Sequence, residues 1–448
     1  MPLALPAYLF QLAALSAFLK SKAVAVRYEE LVIEGAIREG HLIRVNKAIA
    51  EFKPDLIAFS SYEMSFAWIQ EICDYIKSLS KEIPIIVGGY YPTLSPEDVL
   101  KHNSVDVICL GEGEYPLLEL LSSLKNGQRR TDIANLWFKE GGRFIKNPLR
   151  PLLTNLDELP FVDRDLFTSE NRKSGSLEVM ASRGCPYDCT NCSNHALKKL
   201  YHGLGPYMRY RTAEHVLSEI EQCLARENFK SVQFEDDMFT SNPKWLEGFC
   251  RQYKERIKLP FSCNIRPGTC SPQAFALLRD AGCRQVSIGL ESGDEIIRRN
   301  VLGRDMPDKV IIEAFGDAKK AGIKRKSFNM VGLPGETVFS LWKTIWLNLR
   351  LAPEAVQTSV YYPFKGTILG DRCYSEGLVD LESKKRLKLY AFDSILNLPG
   401  LPRWVIRIAK WLNSATVLRS GNITIFKPAF AMVFRSIYKK PCGCAGAN

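Results

Sequence analysis

The sequence has no long apolar run and no basic segment ahead of its one apolar stretch. Leu3–Leu19 is broken only by Pro6, Tyr8, Gln11 and Ser16, and it is short for a membrane helix. It reads as a buried helix packed on a sheet rather than as a signal or a span. The thirteen cysteines follow no regular pairing pattern across 448 residues. That speaks against a secreted disulfide framework and for a reducing, cytoplasmic setting. No aromatic-plus-glycine RNA-binding motif occurs, so the formal net charge of +11 does not by itself indicate nucleic acid.

What stands out instead is one run: Ser182-Arg183-Gly184-Cys185-Pro186-Tyr187-Asp188-Cys189-Thr190-Asn191-Cys192. A closed electron-transfer cluster takes four Cys ligands. Three thiolates at CxxxCxxC spacing ligate three irons of a four-iron cluster and leave one iron open to a small molecule. Two other readings stay open. A structural zinc site wants four ligands, and His195 would supply the fourth. Three unrelated buried thiols are the other.

Hydrophobic residues make up 46% and charged residues 24%, an ordinary globular mix, and the length fits about two to three domains. Residues 1–130 alternate helices, such as Phe66–Ser78 and Pro96–His102, with short apolar strands. The strand candidates are Ala23–Tyr28, Asp55–Ser61, Ile83–Gly89 and Val105–Gly111. This pattern predicts a parallel, doubly wound α/β sheet, whose ligands bind beyond the carboxyl ends of the strands. Ser60, Ser61, Gly88, Gly89, Gly111, Glu112, Gly113 and Glu114 fall there. Residues 131–176 read as a connector, with a hairpin at Trp137–Asn147 and a Pro- and Asp-punctuated link at Leu156–Phe167. From 177 to 375 the alternation resumes as six βα units, predicting a partial TIM-type barrel. Chemistry collects at strand ends in such barrels. Cys185 follows the first strand, Glu235-Asp236-Asp237 the second, Arg266 the third, Glu291 the fourth and Gly332 with Pro334 the fifth. Residues 376–448 read as a mainly helical extension.

The cysteine run resembles the signature of the radical S-adenosylmethionine (SAM) enzymes. Gly-Gly-Tyr-Tyr-Pro-Thr (88–93) and Gly-Glu-Gly-Glu (111–114) resemble the cobalamin-binding domain found ahead of many of them. Over roughly residues 3–375 the chain is similar to the cobalamin-binding, class B methyltransferase-like branch. The resemblance implies a 4Fe-4S cluster on Cys185, Cys189 and Cys192, with SAM on the open iron. It implies reductive SAM cleavage to a 5′-deoxyadenosyl radical, then methylation of an unactivated carbon with cobalamin as methyl carrier. Glu235 or Asp236 would meet the SAM ammonium, Arg266 its carboxylate, Glu291 the ribose, and Gly332 to Pro334 the adenine. Ser60, Ser61, Gly88, Gly89, Gly111, Glu112 and Gly113 would lie against the cobalamin.

Several features depart from that family. Asn191 stands where an aromatic residue is usual. Lys365 interrupts a Phe-Pro-Gly-Thr-like element in Tyr362–Thr367. No DxHxxG segment supplies a cobalt ligand. The family's first strand, ahead of Leu3–Leu19, is missing, which implies an upstream start or an altered domain. Cyclisation or rearrangement without methyl transfer is an alternative outcome, and a non-catalytic metal or cobalamin sensor is one of another class. A tRNA methylthiotransferase would need an N-terminal Cys pattern and an RNA-binding tail that are absent. The partners expected are a small-molecule or lipid-like substrate and a reductant such as flavodoxin or ferredoxin, without nucleic acid. Basic runs at Lys384, Lys385, Arg386 and Lys388, and at Arg403, Arg407, Lys410, Arg419, Lys427, Arg435, Lys439 and Lys440, read as solvated faces. The second, around Trp404, Ile408, Trp411 and Leu412, also suits a membrane surface. Cys442-Gly443-Cys444 reads as a disordered tail or a second metal site.

Overall fold

The computed structural model describes residues 6–31, 33, 36–166, 175–386 and 393–414; Cys442 and Cys444, Lys388 and the basic residues from Arg419 onward lie outside them. The helix Pro6–Ser21 buries Phe10, Ala13, Ala17, Phe18 and Leu19, as expected of a core helix. No helix among the described residues is long and apolar enough to cross a membrane.

The first sheet runs in the order β1 (Ile57–Ser60), β2 (Ile85–Gly88), β3 (Val107–Cys109), β4 (Leu136–Glu140) and β5 (Arg143–Lys146). β1 to β3 are parallel. β4 and β5 form the antiparallel hairpin and join this same sheet. Ile85, Val87 and Ile108 pack on one face, Ile86, Val107 and Cys109 on the other, so both faces are covered, as parallel strands require.

The Ala23–Tyr28 run corrects one expectation: residues 24–30 carry no ladder. In a flavodoxin-like order 2-1-3-4-5 the second strand pairs only with the first. Among the described residues β1 is the edge of this sheet, and the apolar run does not pair with it.

The second sheet is wholly parallel, in the order β13-β12-β11-β10-β9-β6. Its strands are β6 (Ser176–Val179), β9 (Ser231–Phe234), β10 (Phe261–Ile265), β11 (Cys283–Glu291), β12 (Lys324–Val331) and β13 (Ala355–Val360). Two short strands, β7 (Ser182–Arg183) and β8 (Arg209–Tyr210), pair beside it. This is the expected six-strand partial barrel. Its helices start on side-chain caps: Thr212, Asn242, Ser271 and Thr337 each accept a hydrogen bond from a backbone N–H three residues on. Alternate strand residues, among them Val232, Phe234, Cys263, Val286 and Ile288, point outward into the helix layer.

Two ionic hubs lock the sheets together. Glu112, at the end of β3, accepts from Arg183 Nη1 at 3.0 Å, Arg209 Nη2 at 2.9 Å and Arg209 Nη1 at 3.1 Å. Arg183 also reaches Glu114 at 2.6 Å. On the far side Glu63 accepts from the Lys365 amide at 2.8 Å and from the Tyr374 hydroxyl at 3.0 Å. Lys365 Nζ meets Asp98 at 2.5 Å, so the residue that breaks the Phe-Pro-Gly-Thr pattern is a tether between the sheets.

Burial raises the Glu112 carboxyl, but Arg183 and Arg209 overcome it and hold it below the usual carboxylate range. Its contribution is therefore present above its ordinary pKa and lost as pH falls through the lowered one. Glu112→Ala takes the carboxylate from Arg209 and leaves Arg183 with Glu114 alone, and is expected to cost about 1.5–3 kcal/mol, read as a lower midpoint in denaturant unfolding.

Candidate active site

The cysteine loop is held from three sides. Gly184 has φ +91°, and a Cβ there would sit 2.3 Å from the Tyr207 carbonyl oxygen, so only glycine turns the chain out of β7. The Thr190 amide donates to Leu302 at 3.0 Å, and the Leu369 amide donates to the Thr190 carbonyl at 3.0 Å. Cys189 is buried, with Cys185 and Cys192 partly so. Burial pushes Cys185 up to about 11 and Cys192 up to about 12, so neither ionises near neutrality without a cation. Among the described residues no three His, Cys, Asp or Glu converge tightly enough for one ion, whereas a four-iron cluster spreads its thiolates around a cube. His195, the fourth ligand of the zinc reading, has Nε2 3.5 Å from Asp188. The loop fits a cluster.

Arg266, at the end of β10, donates to Cys189 Sγ at 3.3 Å, and its guanidinium carbon lies 4.1 Å from the Tyr187 ring centre. It is stacked on the cysteine loop itself. Asn191 rests its amide against Met330 Sδ at 3.7 Å, and its buried Oδ1 has no partner.

The acidic triplet divides by side-chain direction. Asp236 is fully buried and accepts from the Ala181 amide at 3.0 Å and from the Ser182 hydroxyl. Burial raises it to about 6 against those bonds. It braces the cysteine run from behind, so the expected SAM contact is corrected for this residue. Asp237, one position on, faces the cavity and accepts from Asn194 Nδ2 at 3.0 Å, while the Tyr207 hydroxyl donates to Asn194 Oδ1 at 2.8 Å. The alternation was legible, since Phe234 and Asp236 share the covered side. Glu235 accepts from Gln233, and the β registers set it in one inward row with Asn264, Ser287 and Lys326. Parallel strands are usually apolar on both faces, so this polar row marks a lined interior.

Glu291 has φ +67°, strained for a residue with a Cβ, and gives its carboxylate to Arg304 at 3.0 Å. Gly332 and Leu333 donate their amides to Glu336 at 2.7 and 2.9 Å, folding the buried Pro334 turn over the strand end.

A cavity lies between the two sheets. Ser60, Gly88, Gly89, Gly111, Glu112 and Gly113 line one side; Gly184, Asn194, Tyr207 and Asp237 line the other. Gly89 has φ +97°, and a Cβ there would come within 2.9 Å of the Ser61 amide, so a bare backbone fronts the cavity. Ser61 departs from expectation: it is fully buried, and its hydroxyl donates to the Tyr62 carbonyl at 2.9 Å. The glycine floor lets a large flat group such as a corrin approach the backbone. Its lining includes His215, whose Nδ1 accepts from Arg211 at 2.9 Å.

Comparison with known proteins agrees with this geometry. A B12 binding domain matches residues 9–121 and the Radical SAM superfamily matches residues 179–345. An uncharacterised methyltransferase of Pyrococcus horikoshii is 26% identical over 361 residues, 80% of this chain and 77% of that one. The anaerobic magnesium-protoporphyrin IX monomethyl ester cyclase of Cereibacter sphaeroides is 22% identical, over 73% of this chain and 54% of its own. The radical SAM methyltransferase TsrM of Kitasatospora setae, solved with cobalamin and a 4Fe-4S cluster, shares the fold. Its TM-score is 0.69 at 18% identity, over 82% of this chain and 75% of that one. The chain is a radical SAM enzyme. It belongs to the branch with an N-terminal cobalamin-binding domain, and its cofactors are a 4Fe-4S cluster, SAM and cobalamin.

Two outcomes are expected. Anaerobic reconstitution gives a brown chain with about four irons, and Cys185→Ala, Cys189→Ala or Cys192→Ala each loses most of the iron and the visible absorption. Separately, burial and Glu235 push Glu178 up to about 7. A raised carboxylate contributes stability at low pH that is lost as pH rises through 7. Glu178→Gln is therefore expected to raise the thermal midpoint at pH 8 and leave it unchanged at pH 5.

Proposed function

We propose that this enzyme transfers a methyl group to an unactivated carbon of a small-molecule substrate. The observation that carries the reading is the shared cavity: the glycine-lined ends of β1 to β3 face, across one space, Gly184 and Asn194, which flank the cysteine loop on either side. Bound there, the three cofactors supply reductive cleavage of SAM and a methyl donor.

The protein's own part is to hold and to shield. Cys185, Cys189 and Cys192 anchor the cluster. Arg266, beside Cys189 Sγ, sets a positive charge where an extra electron arrives. Asp237, open to the cavity it lines, accepts hydrogen bonds from the SAM ammonium. The Glu291 backbone and the Gly332–Pro334 turn frame the nucleoside. The inward row of Glu235, Asn264, Ser287 and Lys326 presents hydrogen-bonding groups to a polar part of the substrate. We infer a cobalamin-binding unit over 1–130, completed by the hairpin of the 131–176 connector, a radical SAM core over 177–375 and an extension over 376–448. The electron comes from a flavodoxin- or ferredoxin-like protein in a reducing cytoplasm. Substrate cyclisation is the second reading, favoured by the likeness to the anaerobic cyclase.

The test is anaerobic incubation of the reconstituted enzyme with methyl-labelled SAM and a strong reductant. 5′-Deoxyadenosine and S-adenosylhomocysteine should both form, and neither in Cys185→Ala. SAM consumption without any transfer of the methyl group contradicts methylation. Asp237→Asn should weaken SAM binding roughly tenfold in equilibrium dialysis while the iron content stays unchanged.

A further inference from the structure

Two helices on the outside of the partial barrel share a surface that the reaction does not use. Val338–Leu351 and Arg403–Ser414 pack side by side over β12 and β13. Each buries one apolar face, through Leu341, Ile345, Val405 and Ile406 among others. Each also presents two large aromatics outward, seven residues apart and hence on one face. Phe339 and Trp346 are 58% and 50% exposed; Trp404 and Trp411 are 44% and 64% exposed.

The charge on these helices has one sign. Neither carries an Asp or Glu. Lys343 lies 5.1 Å from the Phe339 ring centre and Arg350 lies 5.6 Å from that of Trp346; Arg407 sits between Trp404 and Trp411. The bias continues in the sequence, where no Asp or Glu follows Asp393 while eight Lys and Arg do. Most of the net charge of +11 therefore belongs to this end of the chain.

Exposed aromatics flanked by cations, on helices lying flat against a domain, match the chemistry of a bilayer interface. Indole rings settle at headgroup depth, and Lys and Arg meet anionic headgroups. We propose that the paired helices form a docking face for an anionic lipid bilayer, with Phe339, Trp346, Trp404 and Trp411 as the inserted anchors. The side of the second helix opposite these aromatics packs against the barrel. A Cβ at Gly332, in the nucleoside-framing turn, would lie 3.3 Å from Ile406 Cδ1 on the inner side of the second helix. Docking thus holds the flank of the barrel against the membrane surface.

The experiment is flotation of the full, cluster-loaded enzyme with vesicles of phosphatidylcholine alone or with phosphatidylglycerol added. The wild type should float with the anionic vesicles, weakly with neutral ones and less at high salt. Its Trp emission should shift to the blue, since four of the seven Trp (342, 346, 404 and 411) lie on these helices. Trp346→Glu/Trp404→Glu/Trp411→Glu should lower partitioning at least roughly tenfold while keeping the cluster absorption and SAM cleavage in solution. Equal flotation of this variant overturns the proposal and assigns binding to another segment. No flotation of the wild type overturns it too, and if the variant alone then becomes monomeric, the face joins two copies instead. SAM cleavage, read in the same samples, reports on the catalytic reading independently.

Discussion

The half-buried meeting of Glu112 with Arg183 and Arg209 is the constraint on which the rest depends. Glu112 ends a strand of the first sheet; Arg183 leads directly into the cysteine loop. A carboxylate this enclosed is stable only with its cations in place. The pair therefore fixes the distance between a glycine-lined sheet edge and a cluster loop, and the cavity between them follows. Glu63 and Lys365 repeat the device on the opposite side. Cofactors that must exchange electrons and groups are placed by ion pairs between sheets rather than by the loops that touch them.

The same economy runs through the site. Side chains that look available in sequence are largely committed to geometry: Asp236 to Ala181 and Ser182, Glu291 to Arg304, Glu336 to two amides. What faces the open space is backbone, glycine and a few directed groups such as Asp237. A radical reaction gains from such rigidity, because positioned groups and excluded water suppress side reactions.

Much of this was legible in the sequence because it rests on local pattern. The cysteine spacing, the apolar strands and the chemistry-bearing residues at their ends set the barrel and its rim. The strand-end glycines gave the facing wall. What sequence did not give was partnership across the fold. Asp236 and Asp237 are adjacent and chemically alike, and only the pleat separates brace from ligand. Lys365 read as a departure from a motif until Asp98 appeared opposite it. Ala23–Tyr28 has the composition of a strand and forms no ladder. Propensity cannot supply a pairing edge.

The central claim is that one cavity holds the cobalamin and the cluster side by side. Electron paramagnetic resonance of the enzyme carrying both, reduced to Co(II) and a paramagnetic cluster, tests it most directly. The account predicts signals broadened or split by mutual coupling, reverting to simple ones when Cys185→Ala removes the cluster. Two unperturbed spectra that merely add would contradict it.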